Sequence, residues 1–145
     1  MLIRTCTMAD LNEIVSLAYE KNQFPETNSA YCGNTYDSIL EDFSYILNSD
    51  EHKIVGAYKF NQLYGCCAFF MNQAQNTVDC VGPFVNEENY ILVSKTMLYF
   101  AKSLFSKDTH YNFCFDKRNA DSLKLMGEIN AKDNGNECFY SFRYN

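Results

Sequence analysis

Residues 77–105 constrain the fold more than any other part of the chain. They read TVDCVGPFV, then NEEN, then YILVSKTMLYFAKSLF. The β-branched residues of the first part favour a strand. Gly82-Pro83 either ends that strand or forms a bulge in it, because proline cannot donate to a sheet ladder. Apolar residues in the last part recur at spacings of three and four, which predicts a long amphipathic helix.

Asn86, Glu87 and Glu88 are expected at the first turn of this helix. A strand that runs into a helix with free N–H groups facing a crevice is a common binding site for an anion. Here the sequence places two carboxylates at that point. They stabilise the helix N-terminus by a few tenths to about 1 kcal/mol each, and they also oppose an anionic ligand unless they point away.

Length, charge and composition limit the function classes. A chain of 145 residues predicts one domain, residues 1–145, with 47% apolar and 21% charged residues as in ordinary globular proteins. Its net charge of −6 argues against nucleic acid or an anionic membrane as a partner. The sequence has no long apolar run and no signal-peptide core, so we expect a cytoplasmic protein. The aromatic content of 16% is compatible with a homodimer.

Seven cysteines and two histidines raise the question of a metal site or disulfides. The sequence contains no C-x-x-C pair, and an odd number of cysteines does not form a complete disulfide framework. Six cysteines, including Cys138, fall in predicted strands, and Cys32 falls in a predicted loop. We therefore expect free cysteines that act as small buried apolar residues, and no metal site.

A long polar segment, residues 22–35, separates the first two predicted helices. It contains Pro25 and Gly33, which are typical of loops. A loop of this length in a compact domain is often a lid or the edge of a binding site, although a plain surface loop has the same composition. The aromatic residues Phe24 and Tyr31 favour contact with a ligand.

The remaining elements follow from periodicity and turn signals. Thr7 and Asp10 have the spacing of a capping box, which predicts a helix start after a strand at residues 2–6. Asn61 predicts a tight hairpin, and Asn119 predicts an N-cap. The other predicted strands are residues 53–60, 62–71, 77–83, 110–115 and 137–144, and the other helices are 38–48, 90–105 and 120–129. The order β-α-α-β-β-β-α-β-α-β predicts an α/β fold of the α+β type, with a mixed, mostly antiparallel sheet flanked by helices.

Three local patterns resemble the GNAT superfamily of acetyl-CoA-dependent N-acetyltransferases. The opening IRTCTMADLNEIVSLA is similar to the first strand and helix of that family, often I-R-x-A-T-x-x-D-x-x-x-I. Val81-Gly82-Pro83 before a helix is similar to its V-x-P-x-x-R-x-x-G-x-G/A motif. The segment NADSLKLM, which starts at Asn119, resembles its late-helix motif N-x-x-A-x-x-L-Y.

The resemblance implies acyl transfer from acetyl-CoA to a primary amine on a small molecule or a peptide. It implies a general base at Asp79, although Asp79 is equally compatible with a solvent-facing position. It also implies that backbone amides of Val81 and Gly82 hold the acetyl carbonyl. The implied cofactor-binding residues are Val81, Gly82, Phe84, Val85, Asn86, Asn89, Tyr90 and Asn119.

Two departures from the family pattern affect the chemistry. The glycines of the pyrophosphate loop are absent, and Glu87 and Glu88 stand in that loop. A unit charge about 6 Å from another of the same sign costs roughly 3 kcal/mol at an effective dielectric constant near 20. Met126 occupies the position of the tyrosine that protonates the departing thiolate, and we expect Met126 in the core.

A neighbouring side chain can take the role of the missing acid. The candidates are Tyr90, Cys114 and Tyr140, chosen by expected proximity. The alternative is a non-catalytic ligand-binding or interaction domain on the same fold that has lost coenzyme A binding.

Overall fold

A seven-stranded sheet forms the centre of the computed structural model, which describes residues 1–86, 88–135 and 139–144. Its order is β1-β2-β3-β4-β5-β7-β6. All neighbouring strands are antiparallel except β4 and β5, which are parallel. The predicted mixed, mostly antiparallel sheet is therefore confirmed. The strands are β1 (Leu2–Thr5), β2 (Lys53–Lys59), β3 (Gln62–Asn72), β4 (Thr77–Val85), β5 (His110–Cys114), β6 (Lys132–Asp133) and β7 (Phe139–Phe142).

Two pairs of helices cover the two faces of the sheet. They are α1 (Leu11–Asn22), α2 (Tyr36–Leu47), α3 (Tyr90–Ala101) and α4 (Ala120–Glu128). Helices α1 and α2 pack on one face through residues such as Ile14 and Phe43, and α3 and α4 pack on the other through residues such as Met97 and Leu125. Because side chains alternate along a strand, β4 contributes residues to both faces of the sheet. Val78, for example, packs on the α3–α4 face.

The local signals for turns and caps are largely confirmed. Phe60 and Asn61 both have positive φ angles, as a two-residue hairpin turn requires. The backbone N–H of Thr7 donates to the Asp10 carboxylate at 2.8 Å, which is one half of the predicted capping box. The predicted loop lies between α1 and α2 and is named here the α1–α2 loop, residues 23–35.

Two predicted helices differ from the structure, and one strand was missed. Helix α2 begins at Tyr36 with Thr35 as its N-cap, whose hydroxyl accepts from the Ser38 N–H at 3.1 Å, so Ser38 lies inside the helix. Helix α3 begins at Tyr90 as predicted, but it ends at Ala101 instead of residue 105, and its first turn contains no acidic residue. Asn86 precedes the helix, because its N–H extends the β3–β4 pairing. The short strand β6 was missed, since two exposed polar residues carry no strand pattern.

The cysteines are free in the part of the chain that the structure describes. Five of the six described cysteines are buried, and Cys114 is half-buried, while Cys138 lies outside the described residues. In the same ranges, no group of three or more His, Cys, Asp or Glu side chains is placed to hold a metal ion. None of the described helices is long and apolar enough to cross a membrane.

Candidate functional site

A bulge in β4 lies at the centre of the site. Ala68 of β3 pairs with Val81, and Cys66 pairs with Phe84, so a step of two residues on β3 faces a step of three on β4. Gly82 has φ +116°, a backbone conformation that glycine adopts readily and that residues with a Cβ rarely adopt. A Cβ at Gly82 would lie 3.0 Å from the Phe84 nitrogen and 3.3 Å from the Cys66 oxygen. The bulge, one of the two alternatives that the Gly82-Pro83 pair predicted, is confirmed.

Strands β4 and β5 separate beside this bulge. Their pairing is limited to residues 77–79 of β4 and 110–112 of β5, and it ends at the pair Asp79–Asn112. Beyond it, β4 continues to Val85 and β5 to Cys114 with no pairing between them. We name the space between Cys80 on β4 and Cys114 on β5 the throat.

A cavity of about 530 Å³ opens on the α2 face of the sheet at the throat. We name it the α2 cavity. Its β4 wall is formed by Asp79 and Val81, its loop wall includes Tyr31, and the other walls come from α2 and β3. The further lining residues used below are Glu41, Asp42, Tyr45 and Phe70.

The α2 cavity is acidic. Asp79 is half-buried, and its Oδ1 accepts from the Asn112 side-chain N–H at 3.1 Å. Partial burial, together with the neighbouring Glu41 carboxylate, raises the pKa of Asp42. Among the described residues, no cationic side chain lines this cavity, and none of its three carboxylates forms an ion pair.

Aromatic rings form the outer wall of the α2 cavity. The ring of His52 stacks on Phe70 with 4.0 Å between the ring centroids, and Tyr45 stacks on Phe70 at 6.2 Å. His52 is buried and its Nδ1 accepts from the Met71 N–H at 2.9 Å, which fixes the position of the stack. Exposed aromatic faces next to carboxylates favour cationic ligands.

A second cavity, of about 390 Å³, lies at the C-terminal end of β4. We name it the β4-end cavity. It is bounded by Pro83 and Asn86 of β4 and its exit, by Tyr90 at the start of α3, and by Asn119 at the start of α4. Its charged lining residues are Lys21, Glu88 and Asp121, and the last two are exposed.

The predicted cofactor residues meet at this cavity in part. Phe84, Val85, Asn86, Tyr90 and Asn119 line it, whereas Asn89 does not. The Asn86 N–H donates to the Tyr64 oxygen at 2.7 Å, so this amide is already used in the sheet. Phe84 and Val85 are buried, with Phe84 in the core on the α1–α2 face. Glu87 lies outside the described residues.

Tyr90 and Met126 are both parts of the packed interior. The Tyr90 hydroxyl lies 3.3 Å from the Pro83 oxygen, to which it donates, and 3.2 Å from the Ser122 hydroxyl. Burial raises the pKa of Tyr90 above its ordinary range. Met126 is 2% exposed, which confirms the expected core position. Neither side chain presents a free proton donor to a ligand.

Asn119 has the predicted capping role and a further one. Its side-chain oxygen accepts from the Ser122 N–H at 3.0 Å, which confirms the N-cap. Its side-chain N–H donates to the Asn28 backbone oxygen at 2.9 Å, and the Asn28 side chain accepts from the Asp116 N–H at 2.8 Å. The α1–α2 loop is thus attached to the start of α4.

Two other contacts hold the middle of the α1–α2 loop. The Ala30 N–H donates to the Cys114 oxygen at 2.7 Å, so the loop continues the edge of β5 where β4 has turned away. The buried Asn22 side chain donates to the oxygens of Cys32 and Gly33 at 3.1 and 2.8 Å and accepts from the Ser29 N–H at 2.8 Å.

The other predicted catalytic residues lie on both sides of the throat. Cys114 is at the end of β5 and is half-buried. Tyr140 stacks on Phe115, with 5.4 Å between the ring centroids and a 2° interplanar angle, and packs against the core of the α3–α4 face. Asp79 and Tyr31 share the α2 cavity. Sequence patterns did not identify Glu41, Asp42 or Tyr45, because their spacing is that of an ordinary helix surface.

The fold is similar to that of solved acetyltransferase structures along nearly the whole chain. PaiA N-acetyltransferase from Thermoplasma acidophilum, in complex with coenzyme A, is 14% identical with a TM-score of 0.73, and the match covers 99% of this chain and 98% of that one. Spermidine N-acetyltransferase from Vibrio cholerae, in complex with CoA and spermine, is 13% identical with a TM-score of 0.66 and coverage of 99% and 89%.

A further similar structure is an N-acetyltransferase from Staphylococcus aureus Mu50. It is 18% identical, with a TM-score of 0.63 and coverage of 97% of this chain and 92% of that one. No family model and no curated protein matches the sequence. At these identities the likeness establishes the fold.

Proposed function

From the GNAT fold of this chain, we propose that it is an N-acyltransferase that moves an acetyl group from acetyl-CoA to a primary amine. The observation that carries this proposal is the position of the two cavities. The β4-end cavity and the α2 cavity lie on either side of the bulge at Gly82, with Val81 lining one and Pro83 lining the other. A donor and an acceptor that enter from opposite sides meet at the bulge.

The bulge supplies backbone groups for the reacting carbonyl. Gly82 and Pro83 lie between the paired residues Val81 and Phe84 and have no pairing partner of their own on β3. Because proline has no N–H, the Gly82 amide is the group suited to the oxygen of the thioester and its developing charge. Removal of one such donor typically slows acyl transfer by about 10²–10³-fold. This role depends on backbone geometry and therefore tolerates the degenerate side-chain motifs nearby.

Asp79 is the proposed general base. A primary amine is protonated at neutral pH and must lose a proton before it attacks. The Asp79 carboxylate lines the α2 cavity, and its hydrogen bond from Asn112 fixes one oxygen, which leaves the other oxygen for the amine or for a bridging water. A positioned base of this kind contributes about 10²–10⁴ in rate.

The α2 cavity is suited to a cationic acceptor. Glu41 and Asp42 add negative charge next to Asp79, and Tyr45 and Phe70 provide aromatic faces. Such a wall attracts ammonium groups both electrostatically and through cation–π contacts. One structurally similar protein is named as a spermidine N-acetyltransferase, which supports an amine acceptor for this chain as well.

We assign the β4-end cavity to the donor, acetyl-CoA, although its lining attracts an anion only weakly. The first-turn amides of α3 and the Lys21 ammonium favour a diphosphate, whereas Glu88 and Asp121 oppose it. Because both carboxylates are exposed, solvent and salt screen their repulsion. We therefore expect micromolar binding of acetyl-CoA that weakens as the ionic strength rises.

Calorimetric titration with acetyl-CoA at low and moderate salt tests the donor site. A Lys21→Ala variant should bind several-fold more weakly, because it removes the cation that lines the β4-end cavity. An Lys107→Ala variant, at an exposed turn outside both cavities, is the matched control and should bind like the wild type. No heat up to millimolar ligand would refute the acyltransferase and favour the non-catalytic ligand-binding alternative.

Release of free thiol in the presence of an amine panel tests the acceptor site. Propylamine, putrescine and a lysine-containing peptide compare a single cation, two cations and a peptide amine. We expect the best turnover with putrescine, and a loss of about 10²-fold or more in Asp79→Asn. Asp50→Asn, at an exposed position outside both cavities, is the control and should keep full turnover.

A further inference from the structure

Met126 stands at the α4 position where the family resemblance implies a proton donor, and its side chain has no proton to donate. Met126 of α4 is 2% exposed and lies in the core. The hydroxyl of Tyr90, another candidate acid, is held between the Pro83 oxygen and the Ser122 hydroxyl. A departing thiolate at the β4 bulge therefore needs a proton from another element.

Tyr31 of the α1–α2 loop borders the site on the α2 face of the sheet. Its half-buried side chain lines the α2 cavity together with Asp79 and Val81. Val81 pairs with Ala68 of β3 at the beginning of the bulge. The Tyr31 side chain thus shares a cavity with the proposed base and with a residue that borders the bulge.

The backbone on both sides of Tyr31 is fixed. Ala30 is bonded to the Cys114 oxygen, and the oxygens of Cys32 and Gly33 accept from the Asn22 side chain. The Tyr31 hydroxyl itself has no hydrogen-bond partner among the described residues. A phenol that is held in place but left unbonded in a cavity is available to a bound ligand.

The phenol keeps its proton at neutral pH. Burial raises the pKa of Tyr31 above its ordinary range, and the negative charge of the Asp79 carboxylate acts in the same direction. A neutral phenol can donate a hydrogen bond and a proton but cannot act as a base. Asp79 can therefore accept a proton, whereas Tyr31 can donate one.

We propose that the Tyr31 hydroxyl donates the proton that the departing coenzyme A sulfur requires. This assignment rests on the proposed acyltransferase function. The bound ammonium first loses one proton to solvent by way of Asp79. The neutral amine nitrogen then forms the new C–N bond, the C–S bond breaks, the Tyr31 O–H proton passes to sulfur, and Asp79 takes the second proton from nitrogen. Transfer of that proton to the Tyr31 oxygen through the α2 cavity restores both groups, so the net reaction converts amine and thioester into amide and thiol.

The dependence on the leaving group tests the proposal. Tyr31→Phe should reduce turnover of acetyl-CoA by about 10²-fold or more with little change in the KM of the amine. The same variant should react almost like the wild type with the acetyl thioester of para-nitrothiophenol, whose far more acidic thiol leaves without a proton. Tyr99→Phe, on an exposed part of α3, loses a hydroxyl elsewhere and should match the wild type with both donors.

A binding measurement separates contact from activity. In an NMR spectrum of protein with carbon-labelled tyrosine, the signal of Tyr31 is the one that is absent from the spectrum of Tyr31→Phe. This signal should shift on addition of coenzyme A but much less on addition of desulfo-coenzyme A. Equal losses of rate with both thioesters, or equal shifts with both ligands, would overturn the role of Tyr31 while the acyltransferase stands. A wild-type protein that turns over no amine would overturn both.

Discussion

Replacement of Gly82 by alanine should destabilise the protein measurably, because the bulge at this residue has no room for a Cβ. A non-glycine residue in an unfavourable region of φ costs of order 1–3 kcal/mol. In addition, the new Cβ would lie 3.0 Å from the Phe84 nitrogen and 3.3 Å from the Cys66 oxygen. Both atoms are backbone and cannot rotate away. We expect the free energy of unfolding to fall by roughly 2–4 kcal/mol, equivalent to about 3 °C in Tm per kcal/mol for a chain of this size.

Urea denaturation followed by circular dichroism measures this change. Gly127→Ala is the matched control, since a Cβ at Gly127 in α4 meets no atom within 4 Å. Alanine is also the better helix former, so this variant should gain up to about 1 kcal/mol. A Gly82→Ala protein within about 0.5 kcal/mol of the wild type would refute the inference that the bulge requires glycine.

Two further predictions concern the elements that hold the site. Hydrogen bonding to Arg4 lowers the pKa of Asp10 from 3.8 to about 2, so the ionised carboxylate stabilises the protein above pH 4, and this stabilisation is lost as the pH falls through 2. The difference in unfolding free energy between the wild type and Asp10→Asn should therefore disappear over that range, and a difference independent of pH would contradict this. Asn22→Ala should cost roughly 2–4 kcal/mol of unfolding free energy because it leaves buried backbone groups of the α1–α2 loop without partners, whereas the exposed Asn12→Ala should be neutral or stabilising by urea denaturation.

The sequence predicts those parts of the fold that depend on neighbouring residues. Alternating and helical patterns give the element order, and Asn61 and Asn119 mark a turn and a cap because their roles are set within a few residues. Gly82-Pro83 indicates a bulge for the same reason. Asn86 was wrongly expected in the first turn of α3, because its pairing with Tyr64 depends on a strand far away in the sequence.

The site is less predictable because its residues come from separate elements. Asp79 was identified as a carboxylate inside a central strand, but its shared cavity with Glu41 and Tyr31 depends on how α2 and the loop pack. Tyr90 was a candidate acid from its position, yet contacts with Pro83 and Ser122 occupy its hydroxyl. Such competition between partners is invisible in a single sequence.

The α1–α2 loop has a thermodynamic consequence, because one continuous segment borders both cavities. Thr27 lines the β4-end cavity and Tyr31 lines the α2 cavity, with the attachments to Cys114 and Asn119 between them. A ligand that orders this segment in one cavity has already met part of the entropy cost of ordering it for the other. Binding of the two ligands is then linked, and whatever factor the donor applies to the affinity for the amine, the amine must apply to the affinity for the donor.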